Sequence, residues 1–499
     1  MNSTYTMVKF TTYHRYCQHT GRNDIMRQTE NGEREMIERP LYWNKIKPFV
    51  GKDVIKVFTG IRRCGKSCLL QLISAELIKS GREEATIISA NFESLTDDSV
   101  KSVTAMMERV AQAAKENPGH QLCLFFDEIQ ELDGWEKMLN TLLIDYPVDI
   151  YITGSNANLL SGELATYLGG RYVEFPVFPL SFAEAMPVLS LEGLSGNQAL
   201  LQYVVRGGLP FLYDAGVRGL AAKGYLSDVY SSVVLKDIAK RHNVRDIGLL
   251  EKFLAYLVSE ISHPFSVTKT ANFLKGQRRT VGTDTIYNFL SYAEEACLVR
   301  LLRRNDLVGK ELMTTQEKIF LMDHGFREAL FGTNELQIDR VLENIVAIEL
   351  IRRGWTVSIG KMHHAEVDFV AERGSERRYY QVAYLMPTDE TRTREFASLK
   401  AIRDNHPKFV LSMDEVDFST DGILHRKLCD WLLDTPGRQE FPSQPEQRKP
   451  FPVISSSAAC GSDRDCHGKD CRAAGPFPCL ALRPHSRQTP RSVRAALRA

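Results

Sequence analysis

Residues 58–70, FTGIRRCGKSCLL, place two glycines, a lysine and a serine at the spacing of a phosphate-binding loop. In such a loop, successive backbone N–H groups and the positive end of the next helix converge on phosphate oxygens. The apolar run IKVFT precedes the loop and the amphipathic run SCLLQLISAELIKS follows it, so the chain is constrained to an α/β fold with a nucleotide site. The residues predicted to surround the phosphates are Gly60, Ile61, Arg62, Arg63, Cys64, Gly65, Lys66, Ser67 and Cys68.

Four side chains predict the chemistry of this site. Lys66 would reach the β- and γ-phosphates of ATP, and the Ser67 hydroxyl would bind Mg²⁺. The run LCLFFDEIQ at residues 122–130 ends an apolar strand in two carboxylates. Asp127 would hold Mg²⁺ through water, and Glu128 would orient or deprotonate the water that attacks the γ-phosphate. The alternative for this acidic pair is the solvated start of a loop.

Further polar positions are candidates for the catalytic set. The run VDIYITGSN ends in Thr153, Ser155 and Asn156 beside the acidic strand, where a polar side chain can position the attacking water. The alternative is a satisfied turn, because TGSN is good turn chemistry. Arg171 in GGRYVEF would present its guanidinium to the γ-phosphate of its own or a neighbouring subunit. An exposed arginine without that role is the alternative.

The order of apolar and helical patterns predicts several domains in the 499 residues. Four apolar runs alternate with helix-length segments before residue 155, which indicates a parallel sheet covered by helices. The terminal segments are polar and lack periodicity, so we expect disorder there. The predicted units are an N-terminal extension (1–35), the nucleotide-binding α/β domain (36–185), a helical lid (186–260), a winged helix (261–335), a small α/β domain (336–435) and a disordered tail (436–499).

Composition indicates where the protein is expected to work and which partners it is expected to have. Hydrophobic residues make up 43% and charged residues 25% of the chain, and no apolar run approaches the length of a membrane span. The N-terminus lacks an uninterrupted apolar segment of the secretory type, so we expect a cytoplasmic location and no membrane partner. The net charge of +1 gives no argument for nucleic acid, and any such surface would have to be a local patch.

Several motifs in order give the chain a family resemblance. They are IKVFTGIRRCGKSCLL, LFFDEIQELDGWEKML, IYITGSNANLLSGELATYLGGRYVEFPVFPLSFAEA, YVVRGGLP and VVLKDIAKRHNV. Together they resemble the bacterial and archaeal AAA-type P-loop ATPases that carry a C-terminal domain of unknown function, over roughly residues 36–435. The resemblance implies an AAA-type core in which Lys66 and Ser67 form the first motif and Asp127 and Glu128 the second. It also implies a sensor at Ser155 or Asn156 and a homo-oligomeric assembly.

The run HAEVDFVAERGSERRYYQVAYL resembles the core of the PD-(D/E)xK nuclease fold. The resemblance implies Asp368 as the first acidic position, with Glu343 or Glu349 as the upstream helical acid. Gln381 then stands at the second position, and Ala383 stands where such nucleases carry a lysine. Alanine cannot polarise water or steady a phosphate, so we expect a degenerate binding module rather than a nuclease. A lysine supplied from elsewhere in the chain, for which Lys361 is the candidate, would restore the nuclease alternative.

In the winged-helix interpretation, TVGTDTIYNFLSYAEEA is the recognition helix, KGQRR precedes it and RLLRRNDLVGK forms the wing. Basic residues of these segments would contact DNA phosphates, which position a protein without specifying sequence. The alternatives are a solvated charged face and a dock for a protein partner. The predicted contacts are Lys275, Arg278, Arg279, Arg303, Arg304 and Lys310.

The sequence therefore favours a Mg²⁺-dependent ATPase whose turnover switches the relation between its core and C-terminal modules, coupled to double-stranded DNA or a protein partner. One rival is a nucleotide-gated scaffold with negligible turnover, against which Glu128 argues because a scaffold needs no water-activating acid. The other rival is an ATP-regulated nuclease.

Overall fold

The computed structural model describes residues 26–28, 34–94, 102–155, 170–214, 216–276, 281–307, 312–362 and 365–434. The predicted disordered tail lies outside the described residues, as does most of the N-terminal extension. Two short strands of that extension are described, β1 (Met26–Gln28) and β2 (Arg34–Met36), and they pair antiparallel. The expected disorder of residues 1–35 is therefore wrong for these two strands.

A five-stranded parallel sheet carries the phosphate-binding loop, and its strand order is β4-β5-β6-β3-β7. Every residue of β3, β5 and β6 is buried, which explains why these strands read as continuous apolar runs. The strands are β3 (Ile55–Thr59), β4 (Ile87–Asn91), β5 (Leu122–Asp127), β6 (Val148–Gly154) and β7 (Tyr172–Pro176).

Helices cover this sheet and connect its strands. The helix after the loop buries Leu69, Leu70, Ile73 and Leu77, the apolar stripe visible in the sequence. The acidic strand and the loop strand are both central, so their carboxyl ends lie side by side with that of β6. The helices are α1 (Pro40–Ile46), α2 (Lys66–Lys79), α3 (Val103–Glu116) and α4 (Trp135–Asp145).

Helices dominate the chain from residue 182 to residue 295. The first of them begins with a capping box, in which Ser181 and Glu184 exchange side-chain and backbone hydrogen bonds. A π-helix, Val233–Lys240, continues the third helix without a break. The helices are α5 (Phe182–Leu191), α6 (Gly196–Arg206), α7 (Leu220–Ser232), α8 (Ile247–Ser259), α9 (Val267–Gly276) and α10 (Thr283–Glu295).

A seven-stranded mixed sheet occupies the C-terminal part, with the order β14-β13-β12-β11-β10-β8-β9. The antiparallel hairpin β8–β9 is the predicted wing, and β8 pairs in parallel with β10 of the small α/β unit. The boundary predicted at residues 335–336 thus divides one continuous sheet. The strands are β8 (Val299–Asp306), β9 (Leu312–Leu321), β10 (Thr356–Met362), β11 (Ala365–Arg373), β12 (Glu376–Val382), β13 (Lys408–Ser412) and β14 (Ile423–Lys427).

Four helices accompany this sheet: α11 (Gly325–Phe331), α12 (Ile338–Arg352), α13 (Asp389–Lys400) and α14 (Leu428–Leu433). A buried charge network joins α12 to the nucleotide-binding part of the chain. Glu184 accepts from Arg39 at 3.1 Å and from Arg352 at 3.3 Å. Arg39 also donates to the backbone oxygen of Cys64 in the phosphate-binding loop at 3.4 Å. No helix among the described residues is long and apolar enough to cross a membrane.

Candidate nucleotide site

The two glycines of the loop are required by its backbone. Gly60 has φ +155°, and a Cβ there would lie 2.2 Å from the backbone oxygen of Val177. Gly65 has φ +97° and immediately precedes α2. A side chain is excluded by contact at Gly60 and disfavoured by conformation at Gly65. The loop consequently leads the chain from the carboxyl end of β3 directly into the N-terminus of α2.

Lys66 is the first residue of α2 and is buried, with 4% of its surface exposed. Its Nζ donates to the backbone oxygens of Gly60 at 3.0 Å and Ile61 at 3.3 Å, and lies 3.8 Å from Glu128 Oε1. Burial is the largest influence and disfavours the charged ammonium, but the negative neighbours, Glu128 first and Asp127 among them, together outweigh it and the pKa of Lys66 is raised. A permanent cation is thus held inside the curve of the loop.

Asp127, the last residue of β5, is buried beside Ser67. Its Oδ1 accepts from the Thr153 hydroxyl at 2.6 Å, its Oδ2 accepts from Asn91 Nδ2 at 3.0 Å, and the Ser67 hydroxyl also hydrogen-bonds to it. Burial and the neighbouring Glu128 raise the pKa of Asp127, against the effect of these hydrogen bonds. Asp127 and Ser67 therefore meet as the sequence predicts, and Asn91 and Thr153 fix the carboxylate.

Glu128 follows in a left-handed conformation, with φ +51°. Its N–H donates to the Thr153 hydroxyl at 2.9 Å, and its Oε2 accepts from Gln130 Nε2 at 2.6 Å. The carboxylate is 8% exposed and faces Lys66. A non-glycine residue with positive φ is uncommon and concentrates at functional sites. The turn after β5 thereby directs the second carboxylate toward the loop.

Arg62 connects the loop to the π-helix. Its Nε and Nη2 donate to the two carboxylate oxygens of Asp237 at 3.0 and 2.9 Å, and Nη1 lies 3.5 Å from Glu93. Asp237 is 3% exposed. The hydrogen bonds to Asp237 raise the pKa of Arg62. Sequence reasoning placed Arg62 at the phosphates but missed Asp237, because 175 residues separate the partners.

The remaining loop residues have mainly backbone roles. Ile61 and Cys64 are fully buried, and the Cys64 thiol contacts the backbone oxygen of Val177 at 3.3 Å. Burial raises the pKa of the Cys64 thiol, which therefore stays protonated. Cys68 is buried in α2, and Arg63 is exposed with φ +68°. None of these four side chains needs to reach a phosphate for the backbone N–H groups to do so.

Ser155 follows β6 at the same end of the sheet as the phosphate-binding loop, since Gly154 pairs with Thr59. It is 1% exposed, and within the described part of the chain its hydroxyl has no hydrogen-bond partner. Asn156, the other predicted sensor residue, lies outside the described residues. A buried hydroxyl of this kind is the expected partner of a polar ligand group or water.

The structure does not bring Arg171 to the loop of its own chain. Arg171 precedes β7, and its backbone oxygen accepts from the N–H of Ile55 at the start of β3. The loop begins after Thr59, at the other end of that strand. Four residues of strand separate the two ends by about 13 Å. Action on its own nucleotide is therefore wrong for Arg171, while action on a neighbouring copy stays a prediction.

The set of groups at this end of the sheet fits a Mg²⁺–nucleotide ligand. Ser67 and Asp127 supply the hydroxyl and carboxylate oxygens that Mg²⁺ prefers. Lys66 supplies positive charge, and the N-terminus of α2 supplies unsatisfied N–H groups. The unpartnered Ser155 hydroxyl gives an independent sign that a polar group belongs there.

The nuclease-like residues are only partly brought together. Asp368 on β11 is electrostatically coupled to Glu343 on α12, and the pKa of both carboxyls is raised by burial. Lys318 of β9 bridges Glu343 at 2.9 Å and Glu366 at 2.7 Å. The structure therefore places a lysine beside these acids that sequence reasoning did not identify, because it comes from β9, outside the nuclease-like run.

Gln381 has other partners. Its Nε2 donates to Glu395 at 3.2 Å and its Oε1 accepts from Ser398 at 3.3 Å, both on α13. Its Oε1 lies 3.4 Å from the backbone N–H of Asp368. Glu349, the alternative upstream acid, instead pairs with arginines of its own helix. Among the described residues, no group of three or more His, Cys, Asp or Glu side chains is arranged to hold a metal ion.

The predicted DNA contacts divide into three groups. Lys275 and Arg303 are exposed, as such contacts require. Arg304 is buried, with 7% exposure, and pairs with Glu366 at 2.6 Å, so its prediction as a phosphate contact is wrong. Successive strand residues point to opposite faces, and the face of β8 that carries Arg304 is covered. Outside the described residues lie Arg278, Arg279 and Lys310.

Comparison with known proteins agrees with this geometry. The model of a family described as an AAA domain matches residues 52–186, and the model of a domain of unknown function, DUF8612, matches residues 197–337. The parallel sheet, the phosphate-binding loop and the carboxylate pair together define the N-terminal part as the P-loop domain of an AAA-type ATPase.

Two relatives match most of the chain. An uncharacterized protein of Haemophilus influenzae is 36% identical over 403 residues, which cover 80% of this chain and 99% of that protein. An uncharacterized protein of Methanocaldococcus jannaschii is 30% identical over 369 residues, covering 70% and 79% respectively. The chain belongs to the AAA-domain protein family that includes these two. Among solved structures, a Walker-type ATPase of Pyrococcus abyssi is 14% identical with a TM-score of 0.42, covering 61% of this chain and 97% of that one.

Proposed function

We propose that the protein hydrolyses ATP with Mg²⁺ and uses turnover to change the relation between its AAA domain and its C-terminal modules. One observation carries the proposal: Lys66, Asp127 and Glu128 converge at the carboxyl edge of the sheet, with Glu128 3.8 Å from the ammonium. A scaffold that only holds nucleotide needs the lysine and Asp127, but it has no need of a second, differently oriented carboxylate.

The residues of the chain have separate roles in this proposal. The loop N–H groups and Lys66 bind the phosphates and neutralise charge that develops on them. Ser67 and Asp127 hold Mg²⁺, which when bound polarises the phosphoryl group that is transferred. Glu128 accepts a proton from the attacking water or orients it. Ser155 is placed to hold that water or a phosphate oxygen by hydrogen bonding.

The buried connections of the loop support a conformational output. Arg62 reaches Asp237 of the π-helix, and the backbone of Cys64 reaches α12 through Arg39 and Glu184. Bound phosphates would compete for the Arg62 guanidinium, which forms strong forked hydrogen bonds with either anion. Nucleotide state can therefore alter the contact between the loop and the helices that lead into the C-terminal modules.

The partner in this proposal is double-stranded DNA, with a protein partner as the alternative. The three helices α8, α9 and α10 followed by the hairpin β8–β9 have the element order of a winged helix. Lys275 and Arg303 remain exposed on it. For the nuclease-like part we propose binding rather than cutting, because Ala383 occupies the lysine position and Lys318 is already engaged by two carboxylates.

The test is ATP hydrolysis by the full chain and by Glu128→Gln, each with and without duplex DNA. We expect the variant to lose about a hundredfold in turnover, the scale of a lost general base, while it still binds ATP. Glu131→Gln is the matched control, since Glu131 is an exposed acid three residues further on. Equal turnover in the parent and Glu128→Gln, with ATP bound by both, would refute hydrolysis and leave the nucleotide-gated scaffold.

A further inference from the structure

An exposed cationic strip lies on the π-helix and the turn after it. We define the strip as Lys236, Lys240, Arg241 and Arg245, all exposed. Throughout the chain as described, no carboxylate pairs with any of these four side chains. Four unpaired cations within ten residues are a local excess in a protein whose net charge is +1.

The one acid inside the strip does not neutralise it. Asp237 turns inward, is 3% exposed, and gives both carboxylate oxygens to Arg62 of the phosphate-binding loop. Val233, Val234 and Ile238 are buried on the same inward side. The helix therefore presents most of its apolar residues and its acid to the protein, and its cations together with Leu235 to solvent.

We propose that this strip binds the phosphate backbone of double-stranded nucleic acid. The inference rests on the nucleic-acid coupling proposed above and names a surface for it that the winged-helix prediction does not contain. A duplex carries about six phosphate charges per 10 Å of its axis, so it presents phosphates closely enough to face several of these cations at once. Arginine and lysine without internal partners supply the sequence-independent part of such binding.

The position of the strip supports a nucleic acid over a membrane surface. A membrane-binding helix presents its apolar face to the lipid, whereas the apolar face of the π-helix is buried in the protein. His242, which follows Arg241 but is not part of the strip, stacks on Tyr292 of α10 with ring centroids 3.7 Å apart, and its Nε2 lies 3.3 Å from Glu295. The segment that carries the strip therefore contacts the helix that the sequence predicts to enter the DNA groove.

The helix that carries the strip is also linked to the candidate nucleotide site by the ion pair between Asp237 and Arg62. Asp237 is next to Lys236 in sequence and accepts two hydrogen bonds from Arg62. A duplex bound to the strip would therefore change the electrostatic potential at the Arg62–Asp237 ion pair. Coupling of this kind is reciprocal: a nucleotide that displaces Arg62 from Asp237 alters duplex affinity by the same factor as the duplex alters nucleotide affinity. π-Helical turns inside helices are frequent at functional sites.

The test is the affinity of the full chain for a fluorescent mixed-sequence duplex at a series of KCl concentrations, measured by anisotropy. Lys236→Gln combined with Lys240→Gln removes two contacts and keeps residues of similar helix propensity. We expect the slope of log K against log salt to fall in magnitude by about 1.8, and affinity at 0.1 M salt to fall about sixtyfold. The matched control is Lys115→Gln with Lys137→Gln, two exposed lysines on α3 and α4.

Each outcome decides between the proposals. The strip is supported when its variant loses affinity and slope while the control variant keeps both. It is overturned when both double variants bind like the parent, which leaves DNA coupling through the winged helix intact. If the parent does not bind the duplex, both the strip proposal and the proposed DNA coupling through the winged helix are overturned. Binding to vesicles rich in phosphatidylserine that depends on the strip, with no duplex binding, would also overturn it and reassign the surface to a membrane.

Discussion

Thr153→Val removes one hydroxyl that contacts both residues of the acidic pair, the carboxylate of Asp127 and the backbone N–H of Glu128. The hydroxyl donates to Asp127 at 2.6 Å and accepts from the N–H of Glu128 at 2.9 Å, and Thr153 is fully buried. A hydrogen bond to a charged group contributes about 1.5–3 kcal/mol, and a buried unpaired N–H costs about 1–3 kcal/mol. Valine has nearly the same shape, so we expect the free energy of unfolding to fall by about 3–5 kcal/mol.

Function should change together with stability. Loss of the donor to Asp127 raises the pKa of that carboxyl further, so the acid limb of the pH–rate profile moves upward. Urea unfolding followed by tryptophan fluorescence measures the change in the free energy of unfolding. ATP turnover as a function of pH measures the shift of the acid limb. Thr153→Ser retains the hydroxyl and should restore most of the free energy of unfolding and most of the parent's pH–rate profile.

Thr141→Val is the control, because Thr141 is an exposed helical threonine. Such surface changes usually stay within about 0.5 kcal/mol. If Thr153→Val unfolds like this control and its pH profile is unmoved, the hydroxyl does not organise the carboxylate pair and the reasoning is refuted.

Three further outcomes follow from the structure. Gly60→Ala should abolish nucleotide binding and cost about 3 kcal/mol or more in unfolding, because its Cβ meets a backbone oxygen, whereas Gly81→Ala has open space and should cost about 1 kcal/mol. Arg304→Gln should cost about 1.5–3 kcal/mol by removing the charged hydrogen bond of a buried arginine to Glu366, which keeps its contact with Lys318, whereas Arg303→Gln should leave urea stability within about 0.5 kcal/mol and weaken duplex binding. Burial lowers the pKa of His324 to about 4, so its contribution is present above the unfolded value near 6.5 and is lost as pH falls toward 4. The stability difference between the parent and His324→Gln should shrink by about 3 kcal/mol over that range, and a constant difference would contradict it.

The nucleotide site was largely predictable because its main residues are local in sequence. A phosphate-binding loop is one turn between a strand and a helix. Asp127 and Glu128 are adjacent in sequence, at the end of the second apolar run after that loop. The parallel sheet then brings these ends together, since the carboxyl ends of its strands share one edge. Local spacing and one topological rule were sufficient here.

Long-range partners were not predictable in this way. Asp237 lies 175 residues from Arg62, and Lys318 lies 25 residues from Glu343 across a strand and a helix. No periodicity connects such pairs, because each side chain is polar for a reason that lies on another element. The partner of Arg304, the half-buried Glu366, was equally hidden because it lies 62 residues further along the chain.

Two errors had usable signals in the sequence. Arg303 and Arg304 are consecutive in a strand, so one of them had to point toward the covered face. Arg171 precedes the run YVEFP, which was not predicted as a strand and which forms β7, and the amino end of a parallel strand cannot lie beside a loop that follows a carboxyl end. Both predictions would have been corrected by applying strand geometry to the direction of each side chain.

The parallel pairing of β8 with β10 limits where this gene could have been assembled from smaller pieces. A chain ending at residue 337 would keep the hairpin but lose β10, and the exposed edge of β8 would offer unpaired N–H and C=O groups to any passing strand. Recombination at that point would yield two fragments prone to self-association. The hairpin and the strands after it therefore form one structural unit, which a gene fusion or exchange would have to transfer intact.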